Sequence, residues 1–276
     1  MQFSLIMSVY KNDNPSFFRI ALDSVSTHQS LKPSQIVVVE DGPVSEEFDS
    51  IFNEISFNNP EIDFLLIKQD KNLGLATALN NAISHCKYEW IARMDSDDVS
   101  VPDRFEKQFI FIKNNPSISI VGGSISEFQN TIGDIKSIRI SPQNHCDIKK
   151  MMKKRNPMNH MCICYRKEAI VKSGYYSEDF GKLEDYKLWV DMIGHGYIFA
   201  NVPEVLCYVR IGNGFIARRA NKREIFDWDN LQSYLLKNQL INRFEALRNK
   251  IYIRLFIYAP SWIKKLAYKT FLRRKK

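Results

Sequence analysis

An acidic run, Asp95-Ser96-Asp97-Asp98, directly follows the apolar stretch from Tyr88 to Met94, which has the length and composition of a β-strand. Ligands of open α/β sheets bind at the carboxyl ends of strands, and a short apolar run is typical of a buried parallel strand. Mg²⁺ and Mn²⁺ prefer oxygen ligands, and one or two protein carboxylates suffice when a bound diphosphate supplies the others. The run therefore indicates a metal site that uses Asp95 and Asp97.

The acidic run has two other interpretations. Asp and Ser also cap helices and favour turns, so the run is compatible with a solvated turn. A calcium loop is the second alternative, because Glu106 lies at the twelfth position counted from Asp95. Ser100 stands where such a loop requires glycine, and a strand instead of a helix precedes the run, which disfavours calcium. The choice between a turn and a metal site depends on the rest of the chain.

The composition is that of a globular protein. Of 276 residues, 45% are hydrophobic, enough for one large domain or for one domain with a small appendage. No stretch approaches the roughly twenty apolar residues that span a bilayer, and the N-terminus lacks a basic segment and a cleavage site. The five cysteines are scattered and odd in number, which favours free thiols in a reducing compartment. We therefore expect a cytoplasmic protein.

The net charge of +8 arises at the C-terminus. Residues 243–276 contain eleven Lys or Arg and a single acid, which leaves 28 basic and 30 acidic residues elsewhere. In this tail Trp262, Ile263, Leu266 and Ala267 would share one helical face, and the opposite face would carry Lys264, Lys265 and Lys269. Such a pattern favours an interfacial helix on anionic lipid. The alternatives are an amphipathic helix packed on the domain and, less in keeping with this charge distribution, RNA binding; we expect no nucleic-acid partner.

The first hundred residues alternate between strand and helix patterns. Strands are predicted over 2–9, 35–40, 63–68 and 88–94, and helices over about 15–27, 45–57 and 73–84. This alternation predicts an α/β fold with a mainly parallel sheet, right-handed crossovers and helices on both faces. Gly-x-Gly-x-x-Gly and Walker patterns are absent from the sequence, which argues against dinucleotide and P-loop chemistry.

The second half of the chain has a mixed pattern. Strands are predicted near 118–128, 161–165 and 199–210, and helices near 103–114, near 167–172 and from Glu184 to about Gly194. A polar stretch up to about residue 155 carries no element prediction. We expect this half to build the acceptor side of a binding site.

Several segments together resemble the family 2 inverting glycosyltransferases, whose domain is called GT-A, over about residues 3–215. The segments are 7–12 (Met-Ser-Val-Tyr-Lys-Asn), 37–42 (Val-Val-Val-Glu-Asp-Gly), 72–80 (Asn-Leu-Gly-Leu-Ala-Thr-Ala-Leu-Asn), 93–98 (Arg-Met-Asp-Ser-Asp-Asp) with Pro102, Arg104 and Gln108, and 182–189 (Lys-Leu-Glu-Asp-Tyr-Lys-Leu-Trp). The closest resemblance is to bacterial enzymes of O-antigen and exopolysaccharide assembly.

The resemblance implies a role for each matching residue. Asp41 would bind the uracil, Asp97 and Asp95 would hold Mn²⁺ or Mg²⁺, and Asp185 would be the catalytic base, with Glu184 beside it. The other implied contacts to the nucleotide sugar are Ser8, Tyr10, Asn72, Gly74, Arg93, Asp95 and Ser96. His160 would face the acceptor, and Arg210 would belong to a basic loop that binds diphosphate.

Physical chemistry supports these roles. Departure of a nucleoside diphosphate develops negative charge that a metal ion absorbs as a Lewis acid. The attacking acceptor hydroxyl needs a carboxylate within hydrogen-bond reach to take its proton. The alternative for Glu184 and Asp185 is simple negative charge at a helix N-terminus. For Arg93, a structural ion pair is an alternative to phosphate binding, and for His160 the alternative is a buried hydrogen-bonded histidine.

The implied organisation is a GT-A domain over 1–215, with a nucleotide-sugar-binding half at 1–100 and an acceptor half at 101–215. Residues 216–276 would form a helical basic extension that contacts an anionic membrane surface. No Gln-x-x-Arg-Trp signature follows residue 185, which favours transfer of a single sugar over polymerisation.

Three functions are compatible with the sequence. The first is inverting transfer of one hexose, galactose or glucose, from a UDP-sugar to a polyprenyl-pyrophosphate-linked saccharide at the inner face of the bacterial plasma membrane. The second is metal-dependent nucleotidyl transfer on a similar fold, which would release pyrophosphate. The third is a non-catalytic module that binds a membrane surface through its C-terminal helix.

Overall fold

The computed structural model describes residues 1–212, 224–260 and 262–264. Within them the strands are β1 (Phe3–Val9), β2 (Gln35–Glu40), β3 (Asp63–Lys68), β4 (Trp90–Arg93), β5 (Val99–Ser100), β6 (Ile118–Phe128), β7 (Ser137–Arg139), β8 (Cys164–Arg166) and β9 (Ile198–Arg210). The helices are α1 (Pro15–Val25), α2 (Glu46–Asn58), α3 (Leu75–His85), α4 (Arg104–Asn114), α5 (His145–Met152), α6 (Lys167–Lys172), α7 (Glu184–Gly194), α8 (Glu224–Lys237) and α9 (Arg243–Tyr258). Two 3-10 helices cover His160–Cys162 and Glu178–Leu183.

The described strands form one sheet in the order β3-β2-β1-β4-β8-β6-β9-β5, with β7 paired to β6. The first four neighbours in this order are parallel, as the alternation of strands and helices predicts. Ser8 of β1 pairs with Val39 of β2, and Ile6 pairs with Arg93 of β4. The loops that leave the carboxyl ends of these three strands therefore meet at one edge of the sheet.

The remaining strands form both parallel and antiparallel pairs. Strand β8 runs antiparallel to both β4 and β6, whereas β6 and β9 are parallel. The short strand β5, directly after the acidic run, pairs antiparallel with β9. The end of β9 is thereby brought back to the acidic run.

Apolar side chains fill both faces of the sheet, so that helices cover each side. On β1, Phe3, Leu5 and Met7 join the core under α1, α2 and α4. Ile6 points to the opposite core, which includes buried residues of α3, α6, α7 and α8. This alternation is the period of two expected of a buried strand, and it confirms the predicted α/β architecture with helices on both faces.

Some short elements were not predicted. The polar stretch before residue 155 contains β7 and α5, and the strand predicted over 161–165 is divided into the 3-10 helix His160–Cys162 and β8. Helices α8 and α9 lie in the predicted extension, and Leu231 and Leu235 of α8 are fully buried in the core beside α7. The predicted domain boundary at residue 215 lies outside the described residues and stays a prediction.

The tail helix predicted around Trp262 falls largely outside the described residues. Only residues 262–264 of it are described, and Trp262 and Ile263 are exposed there. Leu266, Ala267, Lys265 and Lys269 lie beyond the described part. The prediction of a lipid-binding face on that helix is therefore carried forward as a proposal.

A buried arginine fixes the end of β4. The Arg104 side chain is fully buried, and its Nη2 donates to the carbonyl oxygens of Arg93 (2.7 Å) and Ile163 (3.3 Å). Its Nε donates to Gln108 Oε1 at 3.2 Å, and Gln108 in turn donates to the carbonyls of Val121 and Cys162. One helix therefore ties the carboxyl end of β4 to β6 and to the segment that enters β8.

We expect Arg104→Met to lower the free energy of unfolding by about 2–4 kcal/mol, because it removes the buried donors that reach the carbonyl oxygens of Arg93 and Ile163 and the side chain of Gln108. Urea denaturation followed by circular dichroism measures this change. Lys113→Met, at an exposed position of the same helix, is the control and should change stability by less than about 0.5 kcal/mol. Equal stability of the two variants would contradict the structural role of Arg104.

Candidate active site

The loop after β1 is tied to the acidic run. Ser8 is half-buried near the end of β1, and Tyr10, the first residue beyond the strand, is 39% exposed. The backbone N–H of Tyr10 and the hydroxyl of Ser96 both donate to Asp13 Oδ2, at 3.2 and 2.8 Å. The structure therefore brings Tyr10 and Ser96 together through Asp13, a residue that the sequence analysis missed, and Ser8 lies two residues before Tyr10.

Asp41 organises the loop that precedes α3. Its carboxylate accepts hydrogen bonds from the side-chain amide of Asn72 (2.9 Å) and from the backbone N–H groups of Leu73 (2.6 Å) and Gly74 (3.0 Å). Gly42 has a φ of +82°, and a Cβ there would lie 2.5 Å from the Asn72 nitrogen. The loops after β2 and β3 are thus packed against each other, with Asp41, Asn72 and Gly74 in one cluster.

The acidic run is balanced by two arginines. Arg93, whose side chain is nearly fully buried, forms an ion pair with Asp95. The Arg210 backbone N–H donates to Asp98 Oδ1 at 2.9 Å, and its Nε donates to the Asp97 carbonyl at 3.1 Å. The Arg210 guanidinium stacks on the rings of Phe17 and Phe128, at 3.8 and 4.5 Å from their centroids.

The carboxyl groups of the run differ in environment. The Asp98 side chain is buried, and this burial, with repulsion from Asp95 and Asp97, raises its pKa well above the usual range. Asp97 opens to solvent, yet its partial loss of hydration and the charges of Asp95 and Asp13 raise its pKa to about 6. Nearby negative charges that destabilise each other favour the binding of a cation.

The donor set at Asp97 fits a hard divalent cation. The available ligands are carboxylate and carbonyl oxygens, which Mg²⁺ and Mn²⁺ prefer. Within the part of the chain that the structure describes, no group of three or more His, Cys, Asp or Glu side chains is arranged to hold a metal ion. The residues therefore fit an ion that takes one or two ligands from the protein and others from a bound diphosphate, and they do not fit a closed protein site.

A cavity of about 440 Å³ lies beside the acidic run. It is lined by the side chains that the sequence analysis assigned to catalysis and acceptor binding, together with the ion pair at the end of β4. These lining residues are Arg93, Asp95, His160, Glu184 and Asp185. Ser8, Tyr10, Asp41, Asn72, Gly74, Ser96, Asp97 and Arg210 do not line it. The predicted site residues thus form two groups, which meet at the Arg93–Asp95 ion pair.

Glu184 and Asp185 begin helix α7, the start that the sequence predicts. Asp185 is half-buried and accepts hydrogen bonds from Asn156 Nδ2 and from the Tyr186 backbone N–H, both at 2.6 Å. Glu184 is 6% exposed, and its Oε2 has no hydrogen-bond partner among the described residues. Asn156 therefore sets the orientation of the Asp185 carboxylate.

The two adjacent carboxyl groups hold different charges. Burial, and then repulsion from Asp185, raise the pKa of Glu184 to about 8. Burial also raises the pKa of Asp185, but the hydrogen bonds from Asn156 and Tyr186 oppose that rise. Because hydrogen bonds to a carboxylate favour its charged form, they favour the negative charge of the pair on Asp185 and its proton on Glu184. Asp185 is therefore the member that can accept a proton.

His160 is held as a neutral ring at the wall of the cavity. Its Nε2 lies 2.7 Å from the Tyr176 hydroxyl, and its ring packs against the edge of Trp189. Burial, and then the positive charge of Arg93, lower its pKa well below the usual value. His160 can therefore take part in hydrogen bonding, and it is too weakly basic to carry a charge at neutral pH.

Several cavity residues were missed by the sequence analysis. Arg139 donates from Nη2 to the Asn156 carbonyl at 3.0 Å, and Trp228 of α8 also lines the cavity. Asn156 lies four residues before His160, so a search for polar side chains around that histidine would have found it. No pattern in the sequence signals Arg139 or Trp228, because they reach the cavity through long-range packing.

Comparison with known proteins identifies the class. Residues 4–175 match the family described as Glycosyl transferase family 2. The match covers more than half of the chain, so the chain belongs to glycosyltransferase family 2 and is a transferase. The fold is GT-A-like, as the resemblance in the sequence implied.

Two relatives align over nearly the whole chain. The amylovoran biosynthesis glycosyltransferase AmsE of Erwinia amylovora is 32% identical over 93% of this chain and 90% of its own. The UDP-Gal:alpha-D-GlcNAc-diphosphoundecaprenol beta-1,3-galactosyltransferase of Escherichia coli is 28% identical over 99% of this chain and 97% of its own.

Solved structures share the fold. S. aureus TarS 1-349 in complex with UDP-GlcNAc superposes with a TM-score of 0.68, at 15% identity, over 99% of this chain and 77% of that one. This chain spans 46% of the longer TarS structure. The mannosyltransferase PcManGT from Pyrobaculum calidifontis, in complex with GDP-Man and Mn²⁺, gives a TM-score of 0.64 at 15% identity, over 98% of this chain and 81% of that one.

Among the described residues, no helix combines the length and the apolar character that are needed to cross a bilayer.

The titration of the Glu184 carboxyl group makes the stability of the fold depend on pH. Its raised pKa means that the folded protein binds the proton more tightly than the unfolded chain, so stability falls as pH rises from about 4.5 to about 8. Glu184→Gln removes this titration and should melt above the unmodified protein at pH 9, with little difference at pH 5. A chain of this size shifts by about 2–4 °C for each kcal/mol.

Differential scanning calorimetry of both proteins across this pH range measures the effect. Glu204→Gln, at an exposed position of β9, is the control and should follow the unmodified protein at every pH. A difference between Glu184→Gln and the unmodified protein that does not change between pH 5 and pH 9 would contradict the protonation of Glu184.

Proposed function

We propose that this protein transfers a single hexose, galactose or glucose, from a UDP-sugar to a lipid-linked saccharide, with inversion at the anomeric carbon. The observation that carries the proposal is the Asp185 carboxylate, which is oriented by Asn156 and lines the same cavity as the Arg93–Asp95 pair of the acidic run. A proton acceptor and a site for a diphosphate are the two requirements of such a transfer, and Asp185 and the Arg93–Asp95 pair, which would meet them, line one cavity.

The donor is proposed to bind across the carboxyl ends of β1, β2 and β4. The cluster of Asp41, Asn72 and Gly74 would receive the base, and the loop after β1 would receive the ribose and the phosphates. Arg93 supports this placement, because its Nε and Nη1 are buried and have no hydrogen-bond partner among the described residues. A buried cation with unused donors is suited to a phosphate oxygen.

Asp97, with Asp95 directly or through water, would hold Mn²⁺ or Mg²⁺. When bound, the ion would supply Lewis-acid stabilisation of the charge that develops on the departing diphosphate. Arg210 would add positive charge at the same loop, since it already contacts the Asp97 carbonyl.

The transfer itself needs one base. Asp185 would take the proton of the acceptor hydroxyl as that oxygen forms a bond to the anomeric carbon, and the bond from that carbon to the diphosphate would break, releasing UDP. Attack on the face opposite the leaving group converts an α-linked donor sugar into a β-linked product. Glu184, which is protonated at neutral pH, would donate a hydrogen bond to a sugar oxygen, and neutral His160 would contact the acceptor.

The acceptor is proposed to be a saccharide on a polyprenyl diphosphate, used in O-antigen or exopolysaccharide synthesis. This proposal rests on the relatives, whose names specify amylovoran biosynthesis in one case and a diphosphoundecaprenol-linked acceptor in the other. A lipid acceptor confines the enzyme to the inner face of the plasma membrane, as a peripheral cytoplasmic protein. The basic tail beyond Pro260 would bind the anionic membrane surface there.

A panel assay tests the function. Purified protein with Mn²⁺ is incubated with UDP-glucose, UDP-galactose and their N-acetyl relatives and with a synthetic saccharide on a lipid diphosphate. We expect the acceptor mass to increase by one hexose, with release of UDP, and we expect EDTA to abolish the reaction. Release of pyrophosphate would instead indicate nucleotidyl transfer, and no turnover with any donor would contradict the proposal.

Variants connect the reaction to the site. Asp97→Ala and Asp185→Asn should each lower kcat/KM by about 10²-fold or more, because one removes a metal ligand and the other removes the base. Asp70→Ala and Asp179→Asn, both at exposed positions outside the cavity, are matched controls that should stay within about twofold. Full activity of Asp185→Asn would exclude that residue as the base.

A further inference from the structure

A second pocket of about 180 Å³ lies beside the catalytic cavity, between the end of α5 and the helices α8 and α9. Two of its lining residues are the cations Lys154 and Arg248, and no acidic residue lines it. Neither cation has a carboxylate partner within ion-pair distance among residues 1–212, 224–260 and 262–264. The pocket therefore has a net positive charge that is suited to an anion.

The floor of this second pocket is a fixed polar network. Asn249 is 5% exposed, and its Nδ2 donates to the Lys153 carbonyl (2.7 Å) and to Gln232 Oε1 (2.8 Å). Its Oδ1 accepts from Arg248 Nη2 at 3.1 Å. The Arg248 guanidinium is thereby oriented by a buried side chain, so the cation is positioned before any ligand binds.

The second pocket adjoins the catalytic cavity. Trp228 lines both of them, and the consecutive residues Lys154 and Arg155 line the second pocket and the cavity, respectively. The Trp228 ring packs edge-on against Tyr186, at 6.2 Å between centroids, and Tyr186 directly follows Asp185. A ligand that reaches from Asp185 to Arg248 would pass the flat apolar surface of one indole ring.

An exposed apolar stripe runs along α9 and passes beside the second pocket. Tyr252 and Ile253 line the pocket, and Tyr252 is 61% exposed. The side chains of this stripe, next to Tyr252, follow one another at intervals of three or four residues on the solvent side of the helix. It consists of Phe244, Leu247, Ile251, Leu255 and Tyr258, each at least 46% exposed. Helix α9 packs on the domain through its other face, where Ala246 and Ile257 are buried. An apolar ligand could therefore contact the stripe.

We propose that the second pocket binds the diphosphate of the lipid-linked acceptor, with its sugar reaching Asp185 past Trp228 and its polyprenyl chain leaving along the stripe of α9. The order of surfaces supports this assignment: the Asp185 carboxylate, the Trp228 ring, the two cations Lys154 and Arg248, of which Asn249 orients Arg248, and the apolar stripe. A saccharide linked through diphosphate to a polyprenyl lipid has the same order of chemical groups. The inference rests on the proposed function.

Binding of geranyl diphosphate tests the inference without turnover. The full chain is saturated with UDP and Mn²⁺, so that the nucleotide site is occupied, and is titrated with geranyl diphosphate in a calorimeter. We expect the doubly substituted variant Lys154→Ala with Arg248→Ala to raise the Kd by about tenfold or more, because it removes both charged donors. Equal Kd values with and without the substitutions, or no binding by the unmodified protein, would overturn the proposal.

The charge-matched control is the variant that carries Lys113→Ala and Lys149→Ala. Both of these lysines are exposed, and neither lines the second pocket or the cavity. This control should bind geranyl diphosphate within about twofold of the unmodified protein; a loss equal to that of the pocket variant would reduce the effect to net charge and overturn the proposal. Arg248→Gln serves as a second pocket variant, since a neutral side chain of similar length preserves the packing around Asn249.

Inorganic diphosphate distinguishes a lipid-linked ligand from a free anion. Under the same conditions it should bind at least about tenfold more weakly than geranyl diphosphate, because it makes no contact with the apolar stripe. Equal affinity for the two compounds would contradict the assignment to a lipid-linked acceptor.

Kinetics separate this inference from the proposed function. With a lipid-diphosphate acceptor, the pocket variant should raise the acceptor KM by about tenfold and leave kcat and the donor KM within about twofold. With the same sugar on a simple alkyl glycoside, the variant and the unmodified protein should have the same KM. Failure of the proposed function would appear as no sugar transfer by any of these proteins, and the binding titration would still decide whether the second pocket holds a diphosphate.

Discussion

The accumulation of negative charge where β4 ends is the constraint on which the rest of the site depends. Asp13, Asp95, Asp97 and Asp98 converge at this point, and burial together with repulsion from neighbouring carboxylates raises the pKa values of Asp97 and Asp98. Carboxylates this close destabilise a loop unless nearby cations or hydrogen-bond donors offset the repulsion. The surrounding structure supplies these groups, and the remaining negative charge is the feature on which the proposed binding of a divalent cation rests.

The balancing groups come from separate parts of the chain, and they connect the two halves of the molecule. Arg93 pairs with Asp95 from within β4, whereas Arg210 reaches Asp97 and Asp98 from the end of β9. Arg104 holds the carbonyl of Arg93 from α4 and thereby fixes where the acidic run begins. The Arg93–Asp95 pair therefore belongs both to the acidic run at the edge of the parallel sheet and to the lining of the cavity that contains Asp185.

Much of this arrangement could be predicted from the sequence because it rests on local patterns. Apolar runs followed by polar loops indicated β1, β2 and β4 with their carboxyl ends at one sheet edge, and the acidic pair at Glu184 indicated the start of α7. The short elements β5 and β7 could not be predicted, because two or three residues carry no periodicity. The contact of Asn156 with Asp185 and the approach of Trp228 to the cavity depend on packing between distant segments. The same holds for the Arg93–Asp95 pair, which the sequence could present only as one of two alternatives.

In the proposed mechanism, Asp185 accepts the proton of the acceptor, and the donor bound at the acidic run undergoes a single displacement with inversion. The most direct test is the anomeric configuration of the isolated product, determined by proton NMR after transfer from an α-linked UDP-hexose in the presence of Mn²⁺. We expect a β-linked sugar, because inversion converts the α-linked donor sugar into a β-linked product. An α-linked product would require a mechanism that retains configuration, and it would contradict the role assigned to Asp185.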